Sequence, residues 1–292
     1  MAHTLLPKRI ALPVYAADAL SSVAYAPDEI LLTLALAGVS AVAFSPLVGL
    51  AVMVVLLTVV ASYRQNVHAY PSGGGDYEIA NVNLGKHAGL TVASALLVDY
   101  VLTVAVSMSS AATYLTTAIP SLHGQQAMLA TVGVVILALV NLRGVKEAGG
   151  LFAVPTYIFM ASILGMTAVG IFQALTGRLG QAPSAAFTIV PAPGFDEGLV
   201  GLAGAFLLLR AFSSGAAALT GVEAISNGVP NFQKPKSKNA ATTLLLLGII
   251  GSSMLAGVIY LANATKVHIV MDPATEFLLN GLPLPEGYIQ TP

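Results

Sequence analysis

Residues 15–29 read YAADALSSVAYAPDE, and residues 212–230 read FSSGAAALTGVEAISNGVP. Both lie where the surrounding chain is apolar enough to cross a membrane, yet both carry carboxylates, hydroxyls and helix breakers. The first sets Asp18 among alanines and ends in Pro27, Asp28 and Glu29; the second sets Glu223 between glycines. A central aspartate costs about 2.5–3.5 kcal/mol on an insertion scale, so a chain retains such groups where they face an interior.

The rest of the sequence establishes the membrane setting. Of 292 residues 56% are hydrophobic and 9% charged, against about 25% charged in a soluble domain. A net charge of −1 supplies no basic stripe for nucleic acid. The absence of cysteine excludes disulfides, thiolate metal sites and cysteine nucleophiles within this sequence. The N-terminal MAHTLLPKRIALPVYA lacks a convincing cleavage site and is read as retained.

About 20 apolar residues span a hydrocarbon core of about 30 Å. Seven candidate spans follow, near residues 10–38, 45–63, 88–118, 126–141, 151–175, 198–226 and 240–262, the third long enough to tilt. With the N-terminus inside, Lys8, Arg9, Arg64, Lys86, Arg143, Lys146, Lys234, Lys236 and Lys238 fall on cytoplasmic segments, and Arg178 and Lys266 outside. That asymmetry supports both the orientation and the number of spans. Arg210 lies within the sixth span and calls for a partner or a water-filled cavity.

The two opening stretches are the first and sixth spans. Interrupted spans in corresponding positions mark inverted-repeat transporters, whose unwound backbone at the midplane faces a binding site. The fold class expected is therefore all-α integral membrane, an inverted-repeat transporter fold with discontinuous first and sixth helices. A five-plus-five repeat needs ten core helices, so residues 1–262 read as the first seven helices of a transporter domain. Residues 263–292 read as an exterior loop, with the remainder of the fold missing.

Asp18, Asp99 and Glu223 stand on three different spans and are expected to share one interior. On the third span Asp99, Thr103 and Ser107 recur every four residues, one face of a helix, with Tyr100 beside them. Thr220 precedes Glu223 by three, and Tyr25 follows Asp18 by seven. Serine and threonine in membrane helices commonly bond their own backbone, so for Thr103 and Ser107 alone that role competes with a binding one. An anionic site built from oxygens suits a hard cation. Desolvation raises a buried carboxylate pKa and a bound cation lowers it, so a proton could exchange for a metal ion, by a carboxylate left open.

Other motifs carry less. In AYPSGGGDYEIANVNLG, residues 69–85, Gly73–Asp76 matches the GxGD of intramembrane aspartyl proteases, with Asp99 as the would-be partner, but the match is short and the companion Asp99–Tyr100 order is reversed. NLRGVKEAG, residues 141–149, reads as a charged turn. His3, His68, His87, His123 and His268 form no metal-binding cluster in the sequence. No pore-filter repeat supports a channel.

PSGGGDYE, NLRGVKEAG and GVEAISN resemble, in this order, the amino acid-polyamine-organocation (APC) superfamily. DALSSVAYAPDEIL and LLVDYVLT resemble its KimA-type potassium importers, and the resemblance covers nearly all of residues 8–262. It implies a LeuT-like fold of twelve helices in the cytoplasmic (inner) membrane of a bacterium, and import of potassium together with protons. It also implies a cytosolic C-terminal domain, regulated in some members by cyclic di-AMP, that is absent from this sequence. Asp18 and Tyr25 match the family's first-helix ion-binding residues, Asp99, Tyr100, Thr103 and Ser107 those of the third, and Thr220 and Glu223 those of the sixth. No cofactor and no enzymatic activity are expected; the partners are potassium, protons and the lipid bilayer, with a homodimer as a further expectation. An amino acid permease of the same superfamily remains the alternative. Against it, the Asp18 carboxylate would repel a substrate carboxylate and attract a metal ion.

Overall fold

The computed structural model describes residues 5–142 and 145–284, and the side chains of 145–152 are outside the description. His3, Arg143, the side chains of Lys146 and Glu147 in NLRGVKEAG, and the last residues of the expected exterior loop therefore lie outside the description.

The chain is helical along most of its length. Helix α1 (Lys8–Ala35) is followed by the single turn α2 (Val39–Val42), α3 (Ser45–Ala69), α4 (Gly75–Leu84), α5 (Lys86–Ala118), α6 (Gln126–Asn141) and α7 (Val145–Leu175). Then come α8 (Gly201–Gly215), the single turn α9 (Ala224–Asn227), α10 (Lys236–Ala264) and the short α11 (Pro273–Glu276). Among the described residues, five stretches are long and apolar enough to cross a membrane: Val39–Ala69, Lys86–Ala118, Ala153–Leu175, Gly201–Asn227 and Lys236–Ala264. The other two expected spans are present as helices. Helix α6 has 16 residues and is short, whereas α1, with 28 residues, rises about 42 Å and is not among the strongly apolar stretches.

The expectation of a broken first helix is not met. Helix α1 runs without interruption through Asp18, the serine pair and Pro27. One of its hydroxyls is absorbed within the helix: Ser21 Oγ donates to the Asp18 carbonyl at 2.9 Å. The stretch contains no glycine, and its alanines are the strongest helix formers. In the sixth span the helix is irregular. Helix α8 ends at Gly215, a 3₁₀ turn covers Ala216–Leu219, and α9 begins only at Ala224. Between them Gly221 has φ of +78°, a left-handed conformation that glycine adopts without steric cost.

The chain divides into two compact units. The first comprises Met1–Ser22, Leu57–Met160 and Leu219–Ile250; the second comprises Val23–Leu56, Ala161–Ala218 and Gly251–Pro292. In the first unit Leu12, Leu20, Val60, Ile225, Phe232 and Leu244 are buried, and Tyr15 stacks on Phe232 with ring centroids 5.6 Å apart. Leu97, Val101 and Leu102 of α5 are exposed, as is Leu139 of α6. These apolar outer faces suit lipid.

The second unit packs Leu31, Ala35, Val42, Phe187, Ile189, Val270, Phe277 and Leu284 together. A small antiparallel sheet lies here, ordered β1 (Thr188–Ile189), β2 (Phe277–Leu279), β3 (Leu282–Pro283), with Thr188 opposite Leu278 and Leu279 opposite Leu282. Asn280 and Gly281, with φ of 54° and 81°, make the two-residue hairpin for which Asn-Gly is the preferred sequence. The segment read as an exterior loop thus contains ordered strands. Arg210 lies on an exposed face of α8 with Phe206 and Leu209.

Candidate functional site

A cavity of about 580 Å³ lies within the first unit. Helix α1 contributes Ala17, Asp18 and Ser21, and α5 contributes Tyr100, Thr103, Val104, Ser107 and Met108. The break in the sixth span contributes Gly221, Glu223 and Ala224; Leu137 of α6 and Pro155, Thr156 and Phe159 of α7 close the wall. Pro155 sits inside α7, where it lacks the N–H that a helical bond requires.

The break is shaped around a carboxylate. A Cβ added to Gly221 would stand 2.5 Å from Asp18 Oδ2 and 3.0 Å from its Cγ. The left-handed backbone and the absent side chain at Gly221 together let Asp18 approach the turn. On its far side Ser22 Oγ and Thr220 Oγ1 are 2.9 Å apart, joining α1 to the start of the turn. Glu223 is buried, and among the described residues its Oε1 has no hydrogen-bond partner; Ser107 Oγ is likewise buried and unpartnered among them. Buried oxygens of this kind are normally satisfied, so these are free to serve a ligand.

Of the expected site residues, Asp18, Tyr100, Thr103, Ser107 and Glu223 line one cavity. Asp99 is half-buried and outside that lining, yet close enough to Asp18 and Glu223 for the carboxylates to act on one another electrostatically. Thr220 is held behind the wall by Ser22. Tyr25 is buried but belongs to the second unit and does not line the cavity. Ser21 and Gly221 complete the lining and were not among the residues singled out; for Gly221 the signal was a glycine one residue from a threonine and two from a glutamate inside a polar span. Asp76 is engaged elsewhere, accepting a hydrogen bond of 2.6 Å from Tyr63, so the GxGD aspartate and Asp99 do not meet in this cavity.

A second cavity, of about 570 Å³, lies within the other unit. Leu31, Met166, Val169, Val258, Leu261 and Ile269 make it largely aliphatic, with Asp28, Gln173 and His268 at its edges. His268 Nδ1 is 2.8 Å from the Phe187 carbonyl and so carries the proton there.

Several long apolar helices and a mainly apolar cavity carrying two carboxylates are the architecture of a multi-pass membrane protein. The chain belongs to the amino acid permease family, whose profile matches residues 16–283. Over 257 residues it is 42% identical to the potassium transporter KimA of Bacillus subtilis (strain 168), covering 88% of this chain and 41% of that protein. The chain thus spans about two fifths of the length of the curated relative it matches.

Proposed function

We propose that this chain forms part of a secondary active transporter of LeuT-like, inverted-repeat fold that imports potassium with protons. The reading places it in the cytoplasmic membrane of a bacterium, N-terminus inside, with residues 1–262 in the transport domain and 263–292 on the exterior side. The observation that carries it is that Asp18 and Glu223 line one cavity beside Gly221, together with Thr103 and Ser107. Two carboxylates and neutral oxygens suit a hard monovalent cation, and either carboxylate can take the coupling proton. Asp99 adds negative potential from the flank, and Tyr25 and Thr220 complete the proposed set from outside the lining. Two positive charges entering together gain about 4.6 kcal/mol per 100 mV of inside-negative potential. Homodimerisation and control by cyclic di-AMP belong to the same reading.

The deciding experiment is potassium uptake into proteoliposomes holding the full-length protein, with and without an inward proton gradient, beside a labelled amino acid mixture. Gradient-driven potassium uptake supports the reading. Amino acid uptake without potassium flux replaces it with the second reading, which the family match favours, and potassium flux indifferent to the gradient makes the protein a channel.

A further inference from the structure

The glycine-rich motif before α4 is not used by the cavity, but it is joined to it. Asn227, one turn beyond Glu223, donates from Nδ2 to the Tyr100 hydroxyl at 3.0 Å. Its Oδ1 faces the other way, onto Gly75, where an added Cβ would overlap it. Gly73 packs equally closely: a Cβ there would stand 2.7 Å from Pro230 Cδ and 2.9 Å from the Asn227 carbonyl oxygen. Both glycines are buried, with φ of +83° at Gly73 and +49° at Gly75. The next residue, Asp76, is anchored to Tyr63. Every group in this chain of contacts belongs to the first unit.

We infer that Asn227 is a positioning residue that couples the cavity to the glycine hairpin 73–75, fixing the Tyr100 hydroxyl with one end of its amide while the hairpin seats against the other. The amide is planar and rigid, so a displaced hairpin shifts the donor that Tyr100 accepts from, and a displaced Tyr100 loosens the hairpin. Three glycines in a row answer this geometry: side chains at positions 73 and 75 would drive the hairpin off the amide. The aspartate that follows holds the hairpin's exit by its bond to Tyr63, a structural duty in place of a proteolytic one. The inference rests on the transporter reading only for its consequence in uptake; the coupling itself is a property of the fold.

Hydrogen exchange of the backbone amides of residues 72–76, in the full-length protein without added ion, tests the coupling directly. Tyr100→Phe removes one hydroxyl and keeps the ring, and exchange in the hairpin is expected to rise about fivefold, the loss of one hydrogen bond. Unchanged exchange in that variant overturns the inference. Uptake then reads the consequence: Asn227→Ala and Tyr100→Phe should each raise the apparent KM for potassium about fivefold with kcat little changed, and the double variant should be no worse than either. Multiplying effects in the double variant would overturn the coupling. If the wild-type protein carries no potassium, the transporter reading falls while the exchange result still decides the inference.

Discussion

The two cavities are nearly equal in volume, about 580 and 570 Å³, and both are mainly apolar; they differ in which polar groups they carry and in the backbone beside them. In the first, Asp18, Thr103, Ser107 and Glu223 bring oxygens among apolar neighbours, and a glycine with left-handed backbone lets a carboxylate approach the irregular segment. In the second, the neighbouring helices are continuous and pass close through glycine, as where Gly170 lies against Leu261, and the aliphatic lining is interrupted by Asp28, Gln173, Thr265 and His268. Space between membrane helices is therefore no guide to function; unpartnered polar atoms and interrupted backbone are.

The largest effect that could break this comparison is expected at Asp18. Asp18→Asn keeps the shape and removes the charge, and uptake should fall about a hundredfold, since loss of a buried charged partner costs about 2–5 kcal/mol. Normal uptake by a variant present at wild-type level in the membrane would erase the distinction between the cavities. Gly221→Ala attacks the same contact from the other side, and with strain of about 1 kcal/mol for the left-handed alanine added to the clash, a tenfold or greater loss of uptake and a lower Tm in detergent are expected. Thr103→Val, equal in shape, should lower apparent affinity about fivefold, measured as a shift in the potassium concentration for half-maximal uptake. The smallest effect on uptake belongs to the second cavity: Leu261→Ala should cost about 2 kcal/mol in stability and leave the half-saturating concentration in place, so a changed affinity there would count against assigning the proposed ion site to the first cavity alone.

Much of the first cavity was legible because its residues sit inside apolar spans where a polar side chain is costly. Asp18 and Glu223 announced themselves in this way. The stripe on α5 was legible but misaligned. With 3.6 residues per turn, each step of four overshoots by about 40°, so a stripe through Asp99, Thr103 and Ser107 spreads around the helix, and the cavity takes the part centred on Tyr100, Thr103 and Ser107. Tyr25 shares the azimuth of Asp18 in an unbroken helix but stands about 10 Å further along it, beyond the cavity. The break expected in α1 was inferred from Pro27 and polarity; membrane helices tolerate both, and what distinguishes the sixth span is glycine at positions 215 and 221. The Asn280–Gly281 hairpin was written plainly in LLNGLP and lost among the turn residues of a segment read as loop. The Asn227–Tyr100 bond joins residues 127 positions apart, and no local pattern announces it.

The fit of Asp18 against Gly221 also sets a rule for how these two positions can vary together. Any residue other than glycine at 221 brings a Cβ, so a viable exchange there requires a shorter side chain at 18. Compensating pairs that restore the packing must surrender the carboxylate, while pairs that keep the carboxylate must keep the glycine. In a library randomised at both positions, selection for folded protein and selection for uptake should therefore recover different sets of survivors: the first linked by size, the second reduced to the ancestral pair.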